Sequence, residues 1–428
     1  MHQGISGPAI PLSPSTMPSL EAAQESANLI KGQRLLTGRG RRPWTRCALM
    51  CTAVAALVQI DGAIASPHIP ASDAQVLTEL PAGVRRTAIP SRALASTRLD
   101  IALPLAQFDI ARARATGDMR FLGYAEAILS PWLQQPSVAP QVLVVHATIL
   151  QSRHAFYASL AQLDRALTAR PDDAQGWLTR ATVLRVLGRY DEAMSSCEHL
   201  AVAADPAITS LCVQGLRGLM GHLKDAYATI TSLSAQQLPP EARTWRYSEL
   251  GEMAERLGND AAAERWFRTG LQGAPEDIYM RFALADLMLK DGRAAETLTL
   301  LTGHDTMEPM LLRIAIAHTE LHDGAGSPAT AWLYAAFDVE QRRDDAVHRR
   351  EQARFLLDVN RQPAAALAAA QENWRVQREP DDLLILMRAA EAAHQPQAAA
   401  DAQRFLRQTG LEDARLDPYR VPHDKSPR

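Results

Sequence analysis

Residues Ala174–Ala207 read AQGWLTRATVLRVLGRYDEAMSSCEHLAVAADPA. From Trp177 to Leu187 the apolar residues recur at helical spacing. Gly188 interrupts them, because glycine accepts the left-handed backbone that a tight turn between helices needs. A second amphipathic stretch runs from about Asp191 to Ala204, and Asp205-Pro206 ends it. The stretch predicts a helical hairpin of 34 residues. Large Trp177 is followed by small Ala181, then by Leu184, Gly188, Tyr190, Ala193, Leu200 and Pro206.

The same pattern recurs on both sides. Small residues stand at the close-contact point of the first helix at Ala147, Ala181, Gly215, Gly251 and Ala285, with spacings of 34, 34, 36 and 34. The turn column is His154, Gly188, Gly221, Gly258 and Gly292. The second-helix column is Ser159, Ala193, Ala226, Ala263 and Thr297, and prolines close the units at 171, 206, 240, 275 and 309. A small side chain is needed where two helix backbones approach closely. Four columns in one register resemble the tetratricopeptide (TPR) repeat, with its large residue, small residue, turn, aromatic, alanine and closing proline at fixed offsets. The resemblance implies an all-α fold, an α-solenoid or right-handed superhelix of about eight TPR-like hairpins. It is clearest over 140–311 and extends over 91–410.

Composition fits this reading. Aromatics are only 5% while the apolar total is 47%, which suits close-packed, alanine-rich helices better than a β-fold. A net charge of −3 argues against a nucleic-acid module, which would be basic. Residues 1–38 are rich in Pro, Ser and Gly and read as a disordered extension. Over 39–65, Arg39, Arg41, Arg42 and Arg46 precede an apolar run Ala48–Ile60 and the small-x-small exit Ala63-Ile64-Ala65. That order predicts a signal peptide cleaved near Ala65-Ser66, because the run is too short for the ~20 residues of a membrane span. The long segment ahead of it departs from the usual pattern, and a start near Met17 would repair this. The expectation is a periplasmic or secreted bacterial protein; the alternative is a cytoplasmic TPR adaptor. Residues 66–90 read as a linker, Leu99–Ala115 and Phe121–Leu129 as an irregular capping hairpin, and 411–428 as a disordered tail with little to bury. The stretch His348–Phe355, with Asn373-Trp374 and Arg378–Asp381, looks like the C-terminal region of exported bacterial TPR proteins.

Function then turns on what the repeats present. The repeats run to about Gly410, and there is no glycine-rich phosphate loop or G-x-S-x-G elbow, so the reading is non-catalytic, with no cofactor and no metal. The nearest metal pattern is His318-Thr319-Glu320-Leu321-His322. Its histidines share one helical face, but Glu320 points away and the zincin order is not met. A solenoid enzyme or metal site using His318 and His322 is the rival class. Cys197 and Cys212 lie on successive helices, and two readings stand: a disulfide, which export would allow, or two small buried apolar residues.

In stacked TPRs the first helices line a concave groove. The register places Gln141, Thr148, Gln151, Gln175, Thr182 and Arg185 there, and further along Ser248, Glu252, Glu255, Tyr279, Phe282 and Asp286. The chaperone-binding TPRs hold a peptide carboxylate with Lys and Asn at the fifth and ninth positions. Here Val144 and Thr148, then Leu178 and Thr182, stand there, so that clamp is absent. The acidic group Glu252, Glu255 and Asp286 favours a basic or polar stretch of a protein partner.

Overall fold

Asp173, Asp205, Asn259 and Asp277 begin four of the helices by local chemistry. Their side chains accept hydrogen bonds from the backbone N–H of Gly176 (2.8 Å), Ala207 (2.8 Å), Ala262 (3.1 Å) and Met280 (2.8 Å). Each thus satisfies a donor that a helix start leaves without a partner. The prolines read as closing the repeats mostly open the next helix instead: Pro206 and Pro240 are first residues and Pro309 is second. The missing proline N–H costs nothing there.

The computed structural model describes residues 95, 97–342 and 348–419. The extension, the signal and the linker of residues 1–90 lie outside the described residues. The helices are α1 (Leu99–Thr116), α2 (Arg120–Leu133), α3 (Pro140–Ser152), α4 (Phe156–Ala169), α5 (Ala174–Val186) and α6 (Tyr190–His199). They continue as α7 (Pro206–Arg217), α8 (Leu223–Ser232), α9 (Pro240–Arg256), α10 (Asp260–Gly273), α11 (Ile278–Lys290) and α12 (Ala294–Leu300). The last are α13 (Glu308–Leu321), α14 (Ser327–Arg342), α15 (Arg349–Arg354, running on as a π-helical turn Phe355–Val359), α16 (Pro363–Val376), α17 (Pro380–Ala392) and α18 (Ala400–Thr409). Among the described residues these form nine consecutive hairpins, an all-helical α-solenoid of TPR-like units.

The columns have the predicted physical basis. The first- and second-helix positions are buried, and Ser159 Oγ donates to Ala147 O at 2.8 Å, directly across the hairpin. At Gly251 a Cβ would lie 2.3 Å from the Phe267 ring, so no larger residue fits against α10. All five turn residues have positive φ, from 57° at His154 to 81° at Gly221. Cys197 and Cys212 form a disulfide between α6 and α7, with Cα atoms 5.6 Å apart, which settles the two readings left open above.

The array closes on itself. Its last helices and the segment after them pack against the turn edge of the second to fifth hairpins. Arg378 N donates to Val186 O (2.8 Å), Tyr190 OH to Arg378 O (3.3 Å), Gln377 Nε2 to His154 Nδ1 (3.2 Å) and Leu223 N to Glu412 Oε1 (3.2 Å). The Phe405 ring lies 5.6 Å from Tyr190 and 5.3 Å from Trp374. Residues 411–419 correct the expectation of a tail with little to bury: Leu411, Asp413 and Leu416 are buried, and Ala414–Tyr419 forms a 3-10 helix. Their apolar positions are too few and too short-spaced to read as an element before the closing contacts are known.

Candidate interaction site

Closure turns the first helices of the later hairpins towards one another around a cavity of about 530 Å³. Five of the residues expected in a groove line it: Glu252 and Glu255 from α9, and Tyr279, Phe282 and Asp286 from α11. Arg185, from α5, is buried beside them and ion-paired to Glu249, with Glu252 at 3.4 Å. The other six do not line the cavity. Thr182, Thr148 and Ser248 donate their hydroxyls to the backbone of their own helices, at Leu178 O (2.9 Å), Val144 O (3.1 Å) and Thr244 O (3.2 Å). Gln175 donates to Thr179 Oγ1 (3.0 Å), Gln151 is buried and Gln141 is half-buried.

The inner carboxylates do not face open solvent as three unpaired charges. Asp286 receives Arg313 (2.5 Å) and Arg354 (2.8 Å). Burial pushes its carboxyl up, but the two guanidiniums outweigh burial and hold it below the usual range. Glu255 meets Lys290 (3.3 Å) and Arg415 (3.4 Å), yet burial keeps it raised. Glu252 accepts the Tyr279 hydroxyl at 2.5 Å, and burial, reinforced by Glu249, raises it to about 7. Arg313 also lies 4.7 Å over the Phe282 ring, a cation–π contact. Two arginines close in sequence hydrogen-bond to backbone instead: Arg256 donates to Gly218 O (2.8 Å) and Arg281 to Leu300 O (3.4 Å).

Sequence reasoning missed the opposite wall, formed by Arg313, Arg350, Arg354, Asp358, Glu379, Asp381 and Arg415. A signal was present. Arg350, Arg354 and Asp358 are spaced by four, which puts three charges on one helical face. Such a face is normally read as solvated, and only closure buries it.

The two histidines do not share one helix. Helix α13 ends at Leu321, and His322 sits in the left-handed turn at φ 52°, while His318 Nδ1 pairs with Asp323 at 2.9 Å. A different trio converges, with ligand-type atoms of Glu308, Glu340 and His348 within 4.8 Å of one another. There His348 Nδ1 lies 2.5 Å from Glu340 and 3.6 Å from Glu308, so direct contact of the imidazole with the two carboxylates accounts for the grouping. Among the described residues no helix is long and apolar enough to cross a membrane.

No family model matches the chain, and no curated protein matches it. Among the solved structures similar to it are three with repeat folds. The crystal structure of the APC/C hetero-tetramer Cut9–Hcn1 is 16% identical with a TM-score of 0.40, the match covering 69% of this chain and 56% of that one. The chain thus spans just over half the length of that relative. The P58(IPK) TPR domain is 15% identical with a TM-score of 0.23, covering 65% and 96% of the two chains. The yeast Tom70 structure is 12% identical with a TM-score of 0.23, covering 73% and 92%. All three likenesses are distant, and the fold rests on the chain's own nine hairpins.

Proposed function

We propose that the protein is a non-catalytic scaffold for protein–protein interaction in the bacterial cell envelope. The observation that carries this reading is the inner face itself. Side chains from α9, α11, α13, α15 and α17 meet around one cavity, and what they offer is charge and aromatic surface: carboxylates, guanidiniums, Tyr279 and Phe282. Such a lining recognises a ligand by electrostatic complementarity. Because the last hairpins close the array, a partner presents a side chain or a chain end to the cavity and docks around its mouth. An extended peptide laid along an open groove does not fit this arrangement.

Export is supported by the Arg cluster, the short apolar run and Ala63-Ile64-Ala65, and by the Cys197–Cys212 disulfide, which persists in oxidising compartments. Two measurements test the whole reading. Cross-linked capture from intact cells, with mass spectrometry, should return a stoichiometric protein partner. N-terminal sequencing of the native protein should begin at or near Ser66. Intact residues 40–65 on the soluble cytoplasmic protein would remove the envelope assignment, and a chain that captures no protein would remove the scaffold.

A further inference from the structure

The ion-pair network behind Glu252 and Glu379, which line the cavity, is short of cations. Arg185 serves both Glu249 and Glu252, the latter at 3.4 Å. Arg350 serves Glu351 (3.5 Å), Asp382 (3.3 Å) and Glu379 (3.9 Å). The third guanidinium there, Arg256, gives its Nη1 to Gly218 O. Five carboxylates thus share three guanidiniums, and 5 − 3 leaves two negative charges without a counter-ion of their own.

Taken together, the neighbouring walls set five cations against five carboxylates and do not supply the missing charge. Asp286 and Asp358 face Arg313, Arg354 and Arg388, and these guanidiniums are already committed to the two aspartates. On the other side Glu255, Asp381 and Asp413 share Arg415, with Lys290 also on Glu255. Away from the exposed Glu320, the two carboxylates that line the cavity and pair least closely with a cation are Glu252 and Glu379.

We propose that the cavity is a binding site for one cationic group on a slender chain, a guanidinium or primary ammonium, held by Glu252 and Glu379 beside the Tyr279 hydroxyl. This deepens the scaffold reading and rests on it where the cation is a partner's Arg or Lys side chain; a free aliphatic amine is the other source of the same chemistry. The volume of about 530 Å³ suits a small ligand or an inserted side chain, not a helix. In the absence of a cation the charge surplus is met by protons. Burial, then Asp382, raises Glu379 to about 8, as burial and Glu249 raise Glu252 to about 7. A bound cation replaces those protons, so binding releases them and tightens as pH rises through that range.

The test is calorimetry on the full, disulfide-intact chain with three blocked tripeptides, Ac-Gly-Arg-Gly-NH2, Ac-Gly-Lys-Gly-NH2 and Ac-Gly-Gln-Gly-NH2, and with spermidine, at about pH 6 and about pH 8. The cationic probes should bind at least about tenfold tighter than the glutamine control, as one charge-assisted contact implies. They should bind tighter at the higher pH, with proton release seen in buffers of different ionisation enthalpy. Glu252→Gln and Glu379→Gln should each weaken them by about tenfold or more with the circular dichroism spectrum unchanged. Preference for the arginine or lysine peptide assigns the site to a partner side chain, and preference for spermidine to a free amine. Equal binding of cationic and neutral probes, or binding indifferent to both substitutions, overturns the proposal. The scaffold reading fails separately: it falls if no protein is captured, and survives if a partner is captured equally by wild type and the double variant while the amines do not bind.

Discussion

Gly188 and Gly292 occupy the same turn of two different hairpins, with φ of 71° and 72°. An alanine at either pays the same left-handed backbone penalty, about 1–2 kcal/mol. Their surroundings differ. A Cβ at Gly292 meets nothing within 4 Å, whereas at Gly188 it would lie 2.8 Å from Phe405 Cε2 and 3.0 Å from Arg378 Cβ. The Arg378 contact is close to the backbone that donates to Val186 O, so it cannot simply swing away. Overpacking of this kind costs about 1–3 kcal/mol. An independent route gives a similar figure: if Phe405 moves instead, its ring contacts with Tyr190 and Trp374 are lost, at about 0.5–1.5 kcal/mol each. Gly188→Ala should therefore destabilise by about 2–5 kcal/mol and Gly292→Ala by only about 1–2 kcal/mol. Repeat arrays unfold in parts, so urea unfolding is best paired with amide hydrogen exchange. Exchange at Arg378 and through α18 should accelerate in Gly188→Ala and stay unchanged in Gly292→Ala. Equal destabilisation by the two substitutions, with Arg378 equally protected, would show that the closing contact is not where the energy lies.

Three further outcomes follow from the interior and the repeats. Glu252 and Glu379 have folded-state pKa values of about 7 and about 8, above the unfolded value of ~4.3, so the folded chain holds protons the unfolded chain has released. Their contribution to stability is complete below that unfolded value and is lost as pH rises through about 7 to 8; the melting temperature should fall across this window, and a slope identical in Glu252→Gln/Glu379→Gln would refute the assignment. Replacing both Cys197 and Cys212 with alanine should cost about 2–4 kcal/mol in urea unfolding, and native protein should resist thiol alkylation at both positions until reduced. Ala181→Leu, at a buried contact point of α5, should destabilise by about 1–3 kcal/mol, and an unchanged midpoint would mean the repeat register is wrong.

What could be read in the sequence was local. Ala181, Gly251 and the second-helix column announce themselves because steric demand at a helix crossing admits few residue types. Four glycines in succession, Gly188 to Gly292, made the turn column legible and let His154 be placed in it by spacing. It then continues in disguise: His322, Arg361 and His394 hold the same left-handed turn at φ 52°, 55° and 54°. These residues have no glycine signature, so the later hairpins looked out of register although their turns are the same. The groove was harder. Glu252, Glu255, Tyr279, Phe282 and Asp286 were placed together by the repeat register of the stacked first helices, and they do share a cavity. Their partners Arg313, Arg354 and Arg415 lie 27, 68 and 160 residues further along from Asp286, Asp286 and Glu255. No spacing rule reaches contacts set by how far the superhelix turns over many repeats.

Closure also explains why the interior is ionic. In an open array the inner helices face water and their charges need no partner. Once the last hairpins turn back, each of those charges is taken out of water and must be met. A buried ion pair adds little net stability compared with apolar packing, but a mispaired one is costly. The pairs Glu255–Arg415 and Asp286–Arg354 therefore act chiefly on register: a closure shifted by one helical turn would bury the same charges unpaired. Apolar contacts such as Phe405 against Tyr190 supply attraction but tolerate sliding, and the charges do not. The same rule constrains a ligand. Asp286 is fully paired to the wall that closes over it, so an anion entering beside it would meet guanidiniums already engaged and would have to break the closing pairs. A cation entering beside Glu252 and Glu379 completes a set the chain leaves short, and so binds the closed array without opening it.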